Sequence, residues 1–140
     1  MPADEMKIVF DQAGGDGAFV TRRLAAYNVG VTGDSAYYPV HFFLKSPRGE
    51  TLGGVLGAIW AGWLRINIVW VDDAVRGQGW ATRMMDEAEA YGRERGCGWA
   101  ELDTHSFQAR PFYEKRGYEV FAQLDDYPKG HKKFFLKKKL

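Results

Sequence analysis

At 140 residues the chain is about one ordinary domain, and its 46% apolar and 26% charged content is that of a globular protein, not a disordered tail, coiled coil or collagen-like repeat. Nineteen basic against eighteen acidic residues leave a net charge of +1, too little for a small domain that lives on phosphate contacts. The first 130 residues carry fourteen basic and eighteen acidic side chains, net −4, because five lysines crowd the last ten positions.

In chain order, Lys7 to Asp11 is expected as a short opening strand. Asp16 to about Asn28 places Phe19, Val20, Leu24 and Tyr27 at helical spacing, with Asp16 as N-cap and Gly30 and Gly33 as breakers. Tyr37 to Lys45 is β-branched and aromatic, and Ser46-Pro47-Arg48-Gly49 is a turn. Leu52 to Trp60 and Trp63 to Val71 are two strands around the two-residue loop Ala61-Gly62, apolar enough to be covered on both faces. From Gly79 onward, Trp80, Ala81, Met84, Met85, Ala88 and Tyr91 make one apolar helical stripe. Arg83, Asp86, Glu87, Glu89, Arg93 and Glu94 are expected to face away from it, and Gly96 to close the helix. Cys97 to Thr104 is a strand, and Arg110 to Arg116 a short helix closed by Gly117. Tyr118 to Asp125 and Lys133 to Leu140 are strands around Tyr127-Pro128-Lys129-Gly130. The string β α β β β α β α β β predicts a mixed α/β fold built on one sheet, as a single domain over residues 1–140.

Lys132, Lys133, Lys137, Lys138 and Lys139 alternate with Phe134, Phe135, Leu136 and Leu140, so the lysine-rich end reads as a charged edge strand and not a nucleic-acid site. The acidic start lacks the apolar run of a secretory signal, and the longest uncharged stretch, Thr51 to Leu64, is too short to span a membrane. A lone Cys97 permits no internal disulfide and fits a reducing, cytoplasmic setting. His41, His105 and His131 are too scattered to suggest a metal site, and Cys97 lies at a helix exit, where nothing lowers its pKa. Most of Tyr27, Tyr37, Tyr38, Trp60, Trp63 and Trp70 are expected in the core, with some free to line an acceptor pocket. Asp72, Asp73, Asp125 and Asp126 read as solvated turn residues in preference to an amine lure.

The segment Val71-Asp72-Asp73-Ala74-Val75-Arg76-Gly77-Gln78-Gly79-Trp80-Ala81 runs from a buried strand into the best amphipathic helix. Backbone N–H groups left without partners there, with the positive end of the helix dipole, make a ready anion site. Gly77 and Gly79 allow close backbone approach, Ala81 continues the small lining, and Arg76 adds charge or caps the loop. The spacing is neither a Rossmann fingerprint, since position 82 is Thr82, nor a Walker loop.

Thirty residues after Arg76 begins Ser106-Phe107-Gln108-Ala109-Arg110-Pro111-Phe112-Tyr113-Glu114-Lys115-Arg116-Gly117-Tyr118. RGQGWA followed at this distance by FYEKRGY resembles the GNAT superfamily of acetyl-CoA-dependent N-acyltransferases, whose element order matches from about residue 5 to the C-terminus. The resemblance implies that Arg76, Gly77, Gln78, Gly79, Trp80, Ala81 and Thr82 cradle the coenzyme pyrophosphate. It implies that Val69 to Val71 pair with the pantetheine arm, with a main-chain N–H near Val71 facing the thioester carbonyl as an oxyanion donor. Tyr113 would protonate the leaving thiolate as general acid, or pack against the pantetheine arm.

Two departures stand out. Ser106 occupies the position where the family commonly has Asn, and it offers one hydrogen bond in place of the paired contacts of an amide. Pro111 must lie in the first turn of its helix. The strand before the loop lacks the Glu that many members use as general base, which leaves Glu101, Asp103, His105 or water. Alternation puts Glu101, Asp103 and His105 on one strand face and Ala100, Leu102 and Thr104 on the other. The leading expectation is acetyl transfer from acetyl-CoA, without a metal, to a primary amine of a small molecule or protein. A non-catalytic acyl-CoA-binding module and a toxin-type aminoacyl-tRNA acetyltransferase are the alternatives. The acceptor amine, the acyl preference and a homodimeric state stay open.

Overall fold

The computed structural model describes residues 5–10 and 12–140, and the chain divides into two compact units, Met1–Ser35 and Ala36–Leu140. In the first unit, residues 7–10 form no strand, and Asp11 lies outside the described residues. A β-branched run becomes a strand only where a neighbour supplies its ladder partners, and residues 7–10 have none. Helix α1 spans Asp16–Thr32, longer than its periodicity suggested. A lone helical glycine costs only about 1 kcal/mol, so Gly30 does not break it. Gly33, left-handed at φ 71, ends the helix with its N–H on the Val29 carbonyl. Gly15 is the N-cap, and Asp16 opens the first turn, where its charge suits the helix dipole.

The second unit holds β1 (Tyr37–Lys45), β2 (Thr51–Trp60), β3 (Trp63–Val71), α2 (Trp80–Glu94), β4 (Trp99–His105), α3 (Arg110–Lys115), β5 (Glu119–Asp125) and β6 (Lys132–Lys139). One six-stranded sheet runs β1-β2-β3-β4-β6-β5. Every pairing is antiparallel except β3 with β4, which gives the mixed α/β architecture the element string implies. Ala61 and Gly62 both have positive φ, the conformation that lets two residues reverse the chain between Trp60 and Trp63.

Burial alternates along β2 instead of covering both faces, and the buried side carries Val55 and Ile59. With Val40, Leu64, Ile66, Ala100, Leu102 and Leu136 these residues meet Met84, Met85 and Ala88 of α2. Most of the aromatics expected inside are outside: Tyr27, Tyr37, Trp60, Trp63 and Trp70 are exposed, and only Tyr38 packs against the core. In the sheet the reason is phase. Tyr37, Trp60 and Trp63 each sit one residue out of step with the core-facing positions of their strands.

That phase changes within β3. Leu56 pairs with Ile68 and Gly57 with Ile66, so Asn67 is an extra residue, a β-bulge. Before it, Leu64 and Ile66 face the core; after it, Val69 and Val71 do, and Ile68 and Trp70 are exposed. Gly57 stands opposite because a Cβ there would come 2.1 Å from the Arg65 carbonyl oxygen.

One further expectation fails on α2. Glu89, read as outward-facing, is 2% exposed. Its carboxylate accepts from Lys138 Nζ at 2.7 Å and from the Tyr118 hydroxyl at 2.9 Å, and pairs with Arg116 at 3.1 Å. A buried charge persists only when paired and hydrogen-bonded, and these three partners meet that condition.

Candidate active site

The site grows out of the same bulge. Pairing of β3 with β4 runs from Trp63 opposite Trp99 to Ile66 opposite Leu102 and then stops. Asn67 to Val71 therefore leave an edge that β4 does not fill. A short 3₁₀ turn follows at Asp73–Val75, capped by the Asp72 side chain on the Ala74 N–H at 2.9 Å. Arg76 folds back over it, donating from Nε to the Val71 carbonyl at 2.8 Å and pairing with Asp73. Arg76 thus fastens the end of β3 to the loop. Gly77 and Gly79 have φ of 74° and 84°, a region side chains other than glycine enter only at a cost, and Gly79 is the N-cap of α2.

Two chambers open on this edge. One, of about 450 Å³, is lined by Val69, Val71, Arg76, Gly77, Gly79, Trp80, Ala81 and Thr82, with Val75, Ala109 and Phe112 opposite. The other, of about 580 Å³, is lined by Asn67, Ile68, Trp70, Asp103, Phe107 and Gln108 among others. Val69, Val71, Arg76, Ala109 and Tyr113 border both. Eight of the residues expected around the loop therefore share one cavity. Gln78 does not; its side-chain oxygen accepts from the Trp80 indole at 3.3 Å.

Ser106 is also elsewhere. Its hydroxyl accepts from the Lys132 N–H at 3.0 Å and lies 3.4 Å from His131 Nδ1, which ties the end of β4 to the start of β6. Sequence reasoning missed Ala109 and Phe112, although Phe112 adjoins Tyr113 in the motif. It also missed Asn67 and Phe107 as lining residues, and listed Trp70 only among the aromatics. Pro111 falls in the first turn of α3 as expected.

Tyr113 is 7% exposed, its ring set edgewise between Phe112 at 5.1 Å and Tyr118 at 6.0 Å. Its hydroxyl has no hydrogen-bond partner among the described residues. Burial pushes its phenol up to about 12, with Arg116 pulling it down and Asp103 adding to the rise. It stays protonated at any physiological pH.

Of the three candidate bases, Asp103 alone borders the second chamber. Arg65 holds Asp103 at 2.6 Å and Glu101 at 3.1 Å, and Lys133 lies 3.8 Å from Asp103. His105 has Nδ1 on the Tyr127 carbonyl at 2.8 Å and its ring between Phe107 and Tyr127. Cys97 is buried, which pushes its thiol up and makes it a poor nucleophile.

Comparison with known proteins agrees with this geometry. The sequence pattern of the Acetyltransferase (GNAT) family matches residues 19–118. The chain is 40% identical over 94 residues to a blasticidin-S acetyltransferase of Streptomyces morookaense, covering 66% of this chain and 69% of that one. It is 31% identical over 116 residues to an acetyltransferase of Agrobacterium fabrum, covering 83% and 85%. A crystal structure of an acetyltransferase from Bacillus cereus superposes with a TM-score of 0.84 at 32% identity, covering 96% and 98%.

Proposed function

Because the chain belongs to the Acetyltransferase (GNAT) family, whose donor is acetyl-CoA, we propose that it transfers an acetyl group from acetyl-CoA directly to a primary amine, both substrates being bound at once. The observation that carries this reading is the unpartnered Tyr113 hydroxyl at the junction of two chambers. One chamber suits the coenzyme. Its glycines and the first turn of α2 present backbone N–H groups to a pyrophosphate, and the open edge from Val69 to Val71 suits an amide-bearing arm. The other chamber admits the acceptor.

As the nitrogen attacks, negative charge gathers on the thioester oxygen, and a main-chain N–H near Val71 receives it in this reading. A C–N bond forms, the C–S bond breaks, and Tyr113 gives its proton to the departing sulfur. A free thiol titrates near 8.5, well below this phenol. The apolar walls that bury Tyr113 also desolvate the sulfur and raise its proton affinity, which narrows the gap. The amine proton leaves through water in the acceptor chamber, since Arg65 already holds both Glu101 and Asp103. Acetylation of a small molecule in the cytoplasm fits best, in line with the similarity to a blasticidin-S acetyltransferase.

The test is free-thiol release from acetyl-CoA with a panel of primary amines. Amine-dependent release is expected, together with weakened coenzyme A binding in Gly79→Val, whose φ of 84° strains any β-branched residue. A folded Gly79→Val protein that binds coenzyme A as the wild type does would sink the loop assignment.

A further inference from the structure

We propose that Arg116 is a positioning residue for acetyl transfer: its guanidinium spans the gap between α2 and α3 and fixes the Tyr113 hydroxyl against the coenzyme cradle. The proposal rests on the acetyl-transfer reading above and adds the group that holds its two halves in register. The coenzyme chamber has Gly79, Trp80, Ala81 and Thr82 on one wall and Ala109, Phe112 and Tyr113 on the other. Thr82 and Phe112 also border a third cavity, of about 600 Å³, which separates Asp86 and Glu89 of α2 from Lys115 of α3. Two helices with such a space between them keep their distance through the sheet beneath and through whatever crosses the space.

Arg116 crosses it. It closes α3, and its backbone N–H donates to the Tyr113 carbonyl at 3.0 Å. Its side chain is only 11% exposed. Nη1 donates to the Thr82 carbonyl at 3.4 Å, and Nη2 donates to Asp86 at 2.9 Å and pairs with Glu89 at 3.1 Å. Positions 82, 86 and 89 share one face of α2, so a single planar fork grips two turns of that helix. The uppermost of the three, Thr82, belongs to the coenzyme chamber.

Neutralising Glu89 does not require this arrangement. Lys138 already bonds Glu89 at 2.7 Å, and Arg93 lies 3.8 Å away. The placement even leaves Arg116 Nε buried without a hydrogen-bond partner among the described residues, a penalty that a lysine would avoid. What the fork adds, and an ammonium lacks, is a rigid set of donors that meets three acceptors at once. Its charge acts on the same hydroxyl: burial raises the Tyr113 phenol, and Arg116 pulls it back down.

The experiment uses the full chain with Arg116→Lys, which keeps the charge and loses the fork. Lys138→Met is the control, since it disturbs the same Glu89 cluster and leaves the tie to Thr82 intact. Coenzyme A is titrated by calorimetry, and turnover is read as thiol release with the panel amine that the wild type uses fastest. Arg116→Lys should weaken coenzyme A binding about tenfold and lower kcat about tenfold or more. Lys138→Met should leave both within about twofold of the wild type, whatever it does to stability. In a Tyr113→Phe background the kcat loss from Arg116→Lys should vanish while the binding loss persists, because the tie acts on rate through that hydroxyl. Should Arg116→Lys fail to fold, Asp86→Asn loosens the same guanidinium from an exposed position and should show the same pattern at about threefold. Wild-type coenzyme affinity in the folded variant overturns the proposal. So do equal losses in Lys138→Met, or a kcat loss that adds in full to Tyr113→Phe. If no amine releases thiol from the wild type, the transfer reading falls, and calorimetry alone decides whether Arg116 holds the cradle.

Discussion

Tyr113 and Tyr118 lie edge to face with ring centres 6.0 Å apart, 7% and 2% exposed, on either side of the turn that ends α3. Their hydroxyls have opposite circumstances. Tyr118 donates to Glu89 within the cluster that also holds Arg116 and Lys138. Among the described residues Tyr113 donates to nothing, and it opens on the cleft. Burial raises both phenols, and for Tyr118 the Glu89 charge raises it further. The same residue type, in the same pocket of core, is a structural donor in one case and a donor held in reserve in the other. What separates them is whether the protein has already supplied an acceptor.

The contrast can be broken by substitution. The largest effect is expected from Tyr113→Phe, which keeps the ring and removes the O–H: kcat should fall ~10²–10⁴-fold with coenzyme A affinity little changed. Near-normal turnover in that variant would make Tyr113 a packing residue. Next comes Glu89→Ala, which strands Lys138 and leaves Arg116 with Asp86 alone, and should cost about 3 kcal/mol in urea unfolding, since losing one partner of a buried ion cluster leaves uncompensated charge. Tyr118→Phe should cost about 1–2 kcal/mol while sparing kcat, because Glu89 loses one donor and keeps its three cations, Arg93, Arg116 and Lys138. A Tyr118→Phe enzyme as slow as Tyr113→Phe would dissolve the distinction between the two.

The last effect is in alkali. Both phenols keep their protons in the folded state above pH 10, where the unfolded chain gives them up. Stability contributed in full below pH 10 should therefore drain away as pH rises toward 12, by at most about 1.4 kcal/mol per pH unit for each phenol. Thermal unfolding from pH 9 to 11 would show it, and each Phe variant should flatten the slope.

How much of this could be read beforehand differs by kind of signal. RGQGWA and FYEKRGY are local strings at a helix start and within a short helix, and local strings survive folding. That is why most of the loop residues and Tyr113 fall together around one cleft. Element bounds mostly hold to within one or two residues for the same reason, since turns such as Ala61-Gly62 carry their own backbone demands. Glu89 was misread because its partners, Arg116, Tyr118 and Lys138, arrive from the turn beyond α3 and from β6. A helical wheel counts a charge as outward unless it knows what waits on the other side. Ser106 could not be placed beforehand, because the Lys132 N–H that it accepts from comes from 26 residues on. The opening strand failed for lack of a partner. The tryptophans failed because aromatic content says how much must be buried only on average, and strand phase decides which residues are.

Asn67 deserves a last consequence, which concerns variation more than chemistry. Since β3 changes phase there, the strand is two tapes spliced together. In Trp63 to Ile66 the even positions answer to the core; in Ile68 to Val71 the odd ones do. Drift in the first tape is filtered by stability, and drift at Ile68 or Trp70 by whatever enters the acceptor chamber. Losing the single residue at the splice would leave both filters as they are, because Gly57 already pairs with Ile66 and Leu56 with Ile68, whereas drawing Asn67 into regular pairing would turn Trp70 inward and Val69 and Val71 out. A one-codon deletion at Asn67 would thus straighten the strand and keep the same side chains toward the core and the cleft.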